Sequence, residues 1–269
     1  MRHPMPPQHA TYGERIDSEL PTSLAATDRC MPRYWIPAHI RVCAFAGCSI
    51  VLDLRNNRYM GIGAEEAQAL RRTAVNVREA CWSSDVLDFT GSGTGQDVID
   101  SLVSSGLLVC AVAAEDIIPT YRIIKLDETF RSIGHELETK RCSLSIEHSV
   151  ALLKAYAWVR HALRYRSPYA IAKQISQLRE PGAVFDLERA ISLVTVFRRL
   201  RPYAFGVKER CLLHALVLIR FLAFFSVFPA WVIGVRASPW GAHSWVQYDS
   251  VLFDCKPEDV CEYSPILVV

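Results

Sequence analysis

Apolar and polar positions along the chain fall into runs of distinct period. From Ile40 to Ile62, Ile50-Val51-Leu52-Asp53-Leu54 and Arg58-Tyr59-Met60-Gly61-Ile62 flank Asn56-Asn57. Asparagine tolerates the positive φ that tight hairpins require, so this stretch predicts a β-hairpin. Ala64 to Val77 follows at helical spacing, with Ala67, Leu70 and Ala74 on one face. A second helical pattern runs from Asp97 to Ser105 through Val98, Leu102 and Val103, stops at Gly106 as a C-cap, and leads into Leu107-Leu108-Val109 as a short strand. Strands, helices and a closing strand in that order describe a small winged helix-turn-helix.

The second half opens with Ser149 to Tyr165, rich in alanine, leucine and aromatic residues, as a helix. Another starts behind Asp186, a natural N-cap, and carries Leu187, Ala190, Ile191, Val194 and Phe197. Cys211 to Phe228 is almost wholly apolar, but Arg220 interrupts it, Lys208, Glu209 and Arg210 crowd its start and Pro229 ends it. The clean run is too short for a membrane span and reads as a buried core helix. Trp231 to Val235, Ser244 to Tyr248 and Val251 to Asp254 are β-type runs between turn residues and predict antiparallel sheet. The fold class is therefore α+β. Residues 1–33 mix prolines with polar residues and read as a flexible arm, 34–112 as the small helical module, 113–141 as a linker without periodic apolar positions, and 142–269 as the larger unit. Thr90-Gly91-Ser92-Gly93-Thr94-Gly95 lacks the register and the lysine of a phosphate loop and is a connector.

Composition narrows the picture further. Apolar residues make up 51% and charged residues 22% of the 269, the balance of a globular chain with a substantial core. A net charge of +2 without a basic stripe excludes nucleic acid and an anionic membrane surface as partners. Without an apolar secretory segment at the N-terminus, the chain is expected to stay in the cytosol. Its nine cysteines, with no CxxC pair, then read as thiols and not as disulfides or zinc ligands. No metal and no cofactor is expected.

One cysteine has a context that calls for chemistry. Cys211 opens the apolar helix, where unpaired backbone N–H groups and the positive dipole end stabilise a thiolate; Lys208 and Arg210 reinforce this and Glu209 offsets it in part. Gly241-Ala242-His243-Ser244-Trp245-Val246 places a histidine between small residues at the head of a strand, leaving room for a thiol to approach the ring. Nucleophile and base together are the minimum for acyl transfer. If Asp249-Ser250 form a two-residue hairpin loop, residue 246 opposes 253 and 245 opposes 254, so Asp254 shares a face with His243 and can orient its second nitrogen. Asp249 has the same parity but lies in the turn and ranks second; a three-residue loop would invert the choice. His214, three residues after Cys211, reads as packing, His148 and His161 as structural or surface residues, and Trp245 as core or cleft wall.

The pattern Arg210-Cys211-Leu212-Leu213-His214-Ala215-Leu216, Val232-Ile233-Gly234-Val235, Ala242-His243-Ser244-Trp245-Val246 and Asp254 resembles the transglutaminase-like maturation peptidases of lasso-peptide biosynthesis, over roughly Cys142 to Val269. The resemblance implies a transglutaminase-like or papain-like cysteine peptidase domain in which Cys211, His243 and Asp254 hydrolyse the bond between leader and core of a precursor peptide. It further implies an asparagine-synthetase-like, ATP-dependent cyclase as partner, which closes the freed core. Ser244 stands where relatives often have alanine.

Tyr34 to Val112 is similar to the small winged-helix modules that recognise precursor leaders and resemble the pyrroloquinoline quinone biosynthesis chaperone. Leu52-Asp53-Leu54, Arg58-Tyr59-Met60, Leu70, Leu102 and Gly106-Leu107-Leu108 carry this likeness. It implies that a leader adds as a strand beside Arg58, Tyr59, Met60 and Gly61 and packs on the helix through Ile99, Leu102 and Val103. DNA binding, the usual alternative for a winged helix, is disfavoured by the acidic helix start Asp97-Val98-Ile99-Asp100. Two other functions share these features: an acyltransferase that passes the same thioester to an amine, and a non-catalytic chaperone that escorts the precursor.

Overall fold

The structure, a computed structural model, describes residues 33–76, 81–82, 95–110, 131–132, 143–178, 185–204 and 211–269, and Arg33–Val269 form one compact unit. The proposed arm up to Pro32, the connector from Thr90 to Thr94, nearly all of the proposed linker and the charged residues Lys208, Glu209 and Arg210 lie outside the described residues.

β1 (Ile40–Phe45), β2 (Cys48–Asp53) and β3 (Arg58–Gly63) form an antiparallel meander. The hairpin between β2 and β3 forms where the paired asparagines predict it. Asp53 closes β2 by accepting the amides of Arg55 at 2.9 Å and Asn56 at 3.1 Å, and Asn57 takes φ 51°. α1 (Ala64–Thr73) ends before the expected Val77. Ala74 is already extended and bridges Tyr34, and Asn76 holds both backbone groups of Ile36 at 2.8 Å, so the chain leaves the helix to pair with a distant segment.

β4 (Cys81–Trp82) joins β1 in parallel, giving a sheet of order β3-β2-β1-β4. α2 (Gln96–Ser104) packs against α1 and stops at Gly106, whose φ of 74° lets the amides of Leu107 and Leu108 return to the Leu102 carbonyl. The closing strand expected over Leu107-Leu108-Val109 is reduced to a single bridge between Val109 and Trp35, because Leu107 and Leu108 are drawn into the core beneath the helices.

The N-terminal sheet is apolar on both faces. Ile40, Val42, Val51 and Ile62 meet Leu70, Leu102, Leu107 and Leu108 on one side. Cys43, Ile50, Leu52 and Leu54 belong to the large core of the second half. A strand buried on both sides carries a near-continuous apolar run, as Ile50-Val51-Leu52 does.

That second half contains β5 (Arg131–Ser132), α3 (Ile146–Tyr165), α4 (Pro168–Ser176), α5 (Leu187–Ala204), α6 (Cys211–Ala223), β6 (Ala230–Arg236), β7 (Gly241–Tyr248), β8 (Val251–Phe253), α7 (Pro257–Val260) and β9 (Ser264–Val268). Its strands form a sheet of order β5-β8-β7-β6-β9. Ser145 caps α3, and Asp186 caps α5 by accepting the Arg189 amide at 3.0 Å. Hydrophobic period alone did not disclose α4, yet Ser167-Pro168 is a start signal, and the Ser167 side chain accepts the Ala170 amide. α6 is the central helix, packed against α3, α5 and β7, with Leu213, Leu216, Val217 and Leu218 buried. Among the described residues no helix is long and apolar enough to cross a membrane. The first residue of α6 thus faces the strand β7, and this places the site.

Candidate active site

Where the start of α6 meets β7 and the end of β8, a cavity of about 140 Å³ is lined by Cys211, His214, His243, Asp254, Cys255 and Asp259 among others. Cys211, His243 and Asp254, separated widely along the chain, therefore reach one space.

Cys211 is the first residue of α6 and half-buried. A helix start carries unpaired backbone N–H groups and the positive end of the helix dipole. Cys255 lines the same cavity, and burial, with Asp254 and Asp259 beside it, pushes its thiol up to about 12, so it stays protonated. Cys43, Cys48, Cys110, Cys211, Cys255 and Cys261 are all free thiols. Among the described residues no group of His, Cys, Asp and Glu is arranged to hold a metal ion.

His243 sits on β7 opposite Gly234 of β6. Its ring stacks on Trp245 with centroids 6.1 Å apart and leans on Tyr263 at 5.5 Å. Gly234 is required by this arrangement: a Cβ there would meet two ring carbons of Trp245 at 2.6 Å and Cβ of Tyr263 at 2.9 Å. Burial depresses the His243 pKa; Asp259 opposes this and His214 adds to it. The imidazole is thus favoured in its neutral form, which can accept a thiol proton. Trp245 is 2% exposed and donates to Gln247 at 2.6 Å, and it both fills the core and walls the cavity. Ser244 accepts from Trp231 Nε1 at 2.8 Å and donates to the Val232 carbonyl at 3.1 Å, so its hydroxyl stitches β6 to β7 beneath the site.

The β7–β8 hairpin has the register that a two-residue loop requires, Val246 opposite Phe253 and Tyr248 opposite Val251. Asp249 lies in that loop at φ 53°, exposed, and its carbonyl accepts from Gln247. Asp254 is different from expectation. β8 ends at Phe253, and Asp254 takes φ 58°, which turns its side chain off the sheet face toward α5 and α6. There its carboxylate, 6% exposed, meets His214 Nε2 at 2.8 Å, Arg201 Nη1 at 3.1 Å and Arg198 Nε at 3.1 Å. The expected bond from Asp254 to His243 is not made, and the histidine read as packing is the one it holds. His214 does pack, stacking on Phe197 at 5.6 Å, but its polar edge belongs to the site. Sequence reasoning missed Arg198 and Arg201. Their signal was slight, since they are two of the four arginines, with Arg189 and Arg199, that the helix carries. His148 caps α3 through Ser145, and His161 lies exposed against Tyr165.

The residues assigned to leader binding fall in different surroundings. Arg58 and Gly61 are exposed on β3, an edge strand of its sheet, and Met60 packs toward the N-terminal core. Tyr59 turns the other way, against the core of the second half, with its ring 5.3 Å from Trp240. Burial and the nearby Cys211 push its hydroxyl up to about 12. Ile99 is half-buried and Val103 38% exposed, whereas Leu102, at 2%, is a core residue and no part of an open groove. It faces inward because it lies on the side of α2 that meets Leu70 and Leu108.

No curated protein and no solved structure matches the chain. Residues 150–268 match a family model, and these residues, which hold α6, β7 and the whole Cys211–His243–Asp254 cavity, are a transglutaminase-like superfamily domain.

Proposed function

We propose that this protein is a leader peptidase of the lasso-peptide type, a cysteine hydrolase that separates leader from core in a ribosomally made precursor. The observation that carries the reading is the convergence of a helix-start cysteine with His243 and Asp254 in one cavity of a transglutaminase-like domain. His243 takes the proton from the Cys211 sulfur, and the thiolate attacks the carbonyl at the leader–core junction. Backbone N–H groups at the start of α6 hold the oxyanion. As the intermediate collapses, the carbon–nitrogen bond breaks and His243 returns the proton to the departing amine of the core. The leader remains as a thioester on Cys211. Water then adds, giving its proton to His243, and the carbon–sulfur bond breaks to free the leader as a carboxylate.

The freed core, with its new amine, is the substrate an asparagine-synthetase-like cyclase would close. The position of β3 at a sheet edge supports the other half of the reading, because an edge strand offers unpaired backbone groups to an added leader strand.

Mass spectrometry of precursor incubated with wild type and with Cys211→Ala tests the proposal. Wild type should give two fragments whose masses sum to precursor plus one water, and the variant none. Equal cleavage by both overturns the mechanism, and a leader mass carrying an amine in place of water would make the enzyme an acyltransferase.

A further inference from the structure

We propose that Asp254 acts through His214 and not through His243, which makes His214 a positioning residue of the Cys211 site. This rests on the reading that Cys211 and His243 perform the chemistry, and it changes what the acid does there. The Asp254 carboxylate has its contacts on the helices: Oδ1 meets Arg198 of α5, and Oδ2 meets Arg201 of α5 and His214 of α6.

Proton logic decides which contact His214 makes. Its Nε2 lies 2.8 Å from the carboxylate and 2.9 Å from Arg201 Nη1. A guanidinium only donates and a carboxylate only accepts, so Nε2 cannot satisfy both. The carboxylate contact is charge-assisted and shorter, and it fixes the tautomer with the proton on Nε2.

The consequence is mechanical as well as electrostatic. His214 follows Cys211 by one turn of α6, and both line the cavity. Asp254 follows β8, whose neighbour β7 carries His243. The bond from Asp254 to His214 therefore ties the nucleophile's helix to the base's sheet in the wall of the cavity. Releasing Asp254 toward His243 would strip a carboxylate that is 6% exposed of two guanidinium contacts and an imidazole, a costly change in a buried place.

Other groups facing His243 are accounted for. Cys211 and His214 approach from α6, Asp254 and Cys255 from the end of β8, Asp259 from α7, and the ring of Tyr263 from the segment before β9. Asp259 is the carboxylate that draws the His243 pKa upward, while His214 draws it down.

The test uses the full chain and needs no peptide substrate, so it stands or falls separately from leader cleavage. Cys211 alkylation by iodoacetamide is followed by mass spectrometry of its peptide across pH, in wild type, His214→Gln, Asp254→Asn and the double variant. Each single change should slow alkylation by about 10- to 100-fold, and the double should be no slower than the worse single within about 3-fold, since both remove one interaction. In His214→Gln the acid limb of the profile should move to higher pH, because the neighbour that draws the His243 pKa down is gone. Penalties that multiply in the double variant, or a limb that does not move, overturn the proposal. A second measurement needs no change at either partner of the bond. In wild type with ¹⁵N-labelled histidine, assigned with His243→Gln, the carboxylate-bonded Nε2–H should belong to His214. Finding it on His243 refutes the assignment.

Discussion

Gly234 is the position where the smallest change should have the largest effect on both fold and site. It sits on β6 directly opposite His243, and a methyl group placed on it would lie 2.6 Å from two carbons of the Trp245 ring and 2.9 Å from Tyr263 Cβ. Carbon atoms in contact prefer about 3.5 to 4.0 Å. Relief thus needs a displacement of about 1 Å by groups with little freedom: Trp245 is 2% exposed and packed among Val232, Leu252, Val260 and Val268. Overpacking of this kind costs about 1 to 3 kcal/mol, and the backbone of β7 and the rigid indole place Gly234→Ala near the top of that range. For a domain of this size that is a loss of about 5 to 10 °C in Tm. Trp245 and Tyr263 are also the two rings that hold His243, so the imidazole should shift with them. A misplacement near 1 Å can cost on the order of 100-fold in rate. Differential scanning calorimetry and Cys211 alkylation rates measure the two effects. Adding Trp245→Phe, whose shorter ring does not reach residue 234, should restore part of the lost stability. A Gly234→Ala protein with wild-type Tm and wild-type thiol reactivity would refute the reasoning.

Ser244→Ala should cost about 1 to 3 kcal/mol in chemical denaturation, because Trp231 Nε1 is left buried without its acceptor. Trp231→Phe added to that variant should recover much of the loss, and a neutral single variant would show the bond to be dispensable. Alkaline pH should destabilise the fold through Cys255. Its thiol is raised in the folded state from 9.0 to about 12, so above pH 9.0 the unfolded chain releases a proton that the folded one keeps, and stability falls as pH rises. By pH 10.5 the loss should reach about 2 kcal/mol, at about 1.4 kcal/mol per unit. Cys255→Ser should flatten the slope of urea midpoints over this window, and an unchanged slope would contradict the burial of this thiol.

Local chemistry in the sequence was the most legible part of the molecule. The Asn56-Asn57 hairpin, the Gly106 helix stop, the Asp186 cap and the β7–β8 register each depend on a few adjacent residues, and the structure has all of them. What stayed hidden depends on distance or on one backbone angle. Asp254 takes its partner from the φ of 58° at the residue after β8 and from an arginine 53 positions away. Alternation extrapolated along the strand has no means of expressing such a departure. The orientation of Tyr59 was likewise hidden, because alternation along a strand tells which residues share a face and not what covers that face. The uninterrupted Ile50-Val51-Leu52 on the neighbouring strand was the clue that both sides of that sheet are covered.

The double-sided burial of the N-terminal sheet has a consequence for how the protein breaks. Ile50, Leu52 and Leu54 are shared with the helices of the other half, and the Leu54 carbonyl receives the Tyr169 amide at 3.0 Å. Peeling the small sheet away would leave an oily scar on the remainder, so neither portion has a comfortable existence alone. Damage to either should be felt across the seam, and the N-terminal sheet and the Cys211 cavity should be lost together in one cooperative collapse.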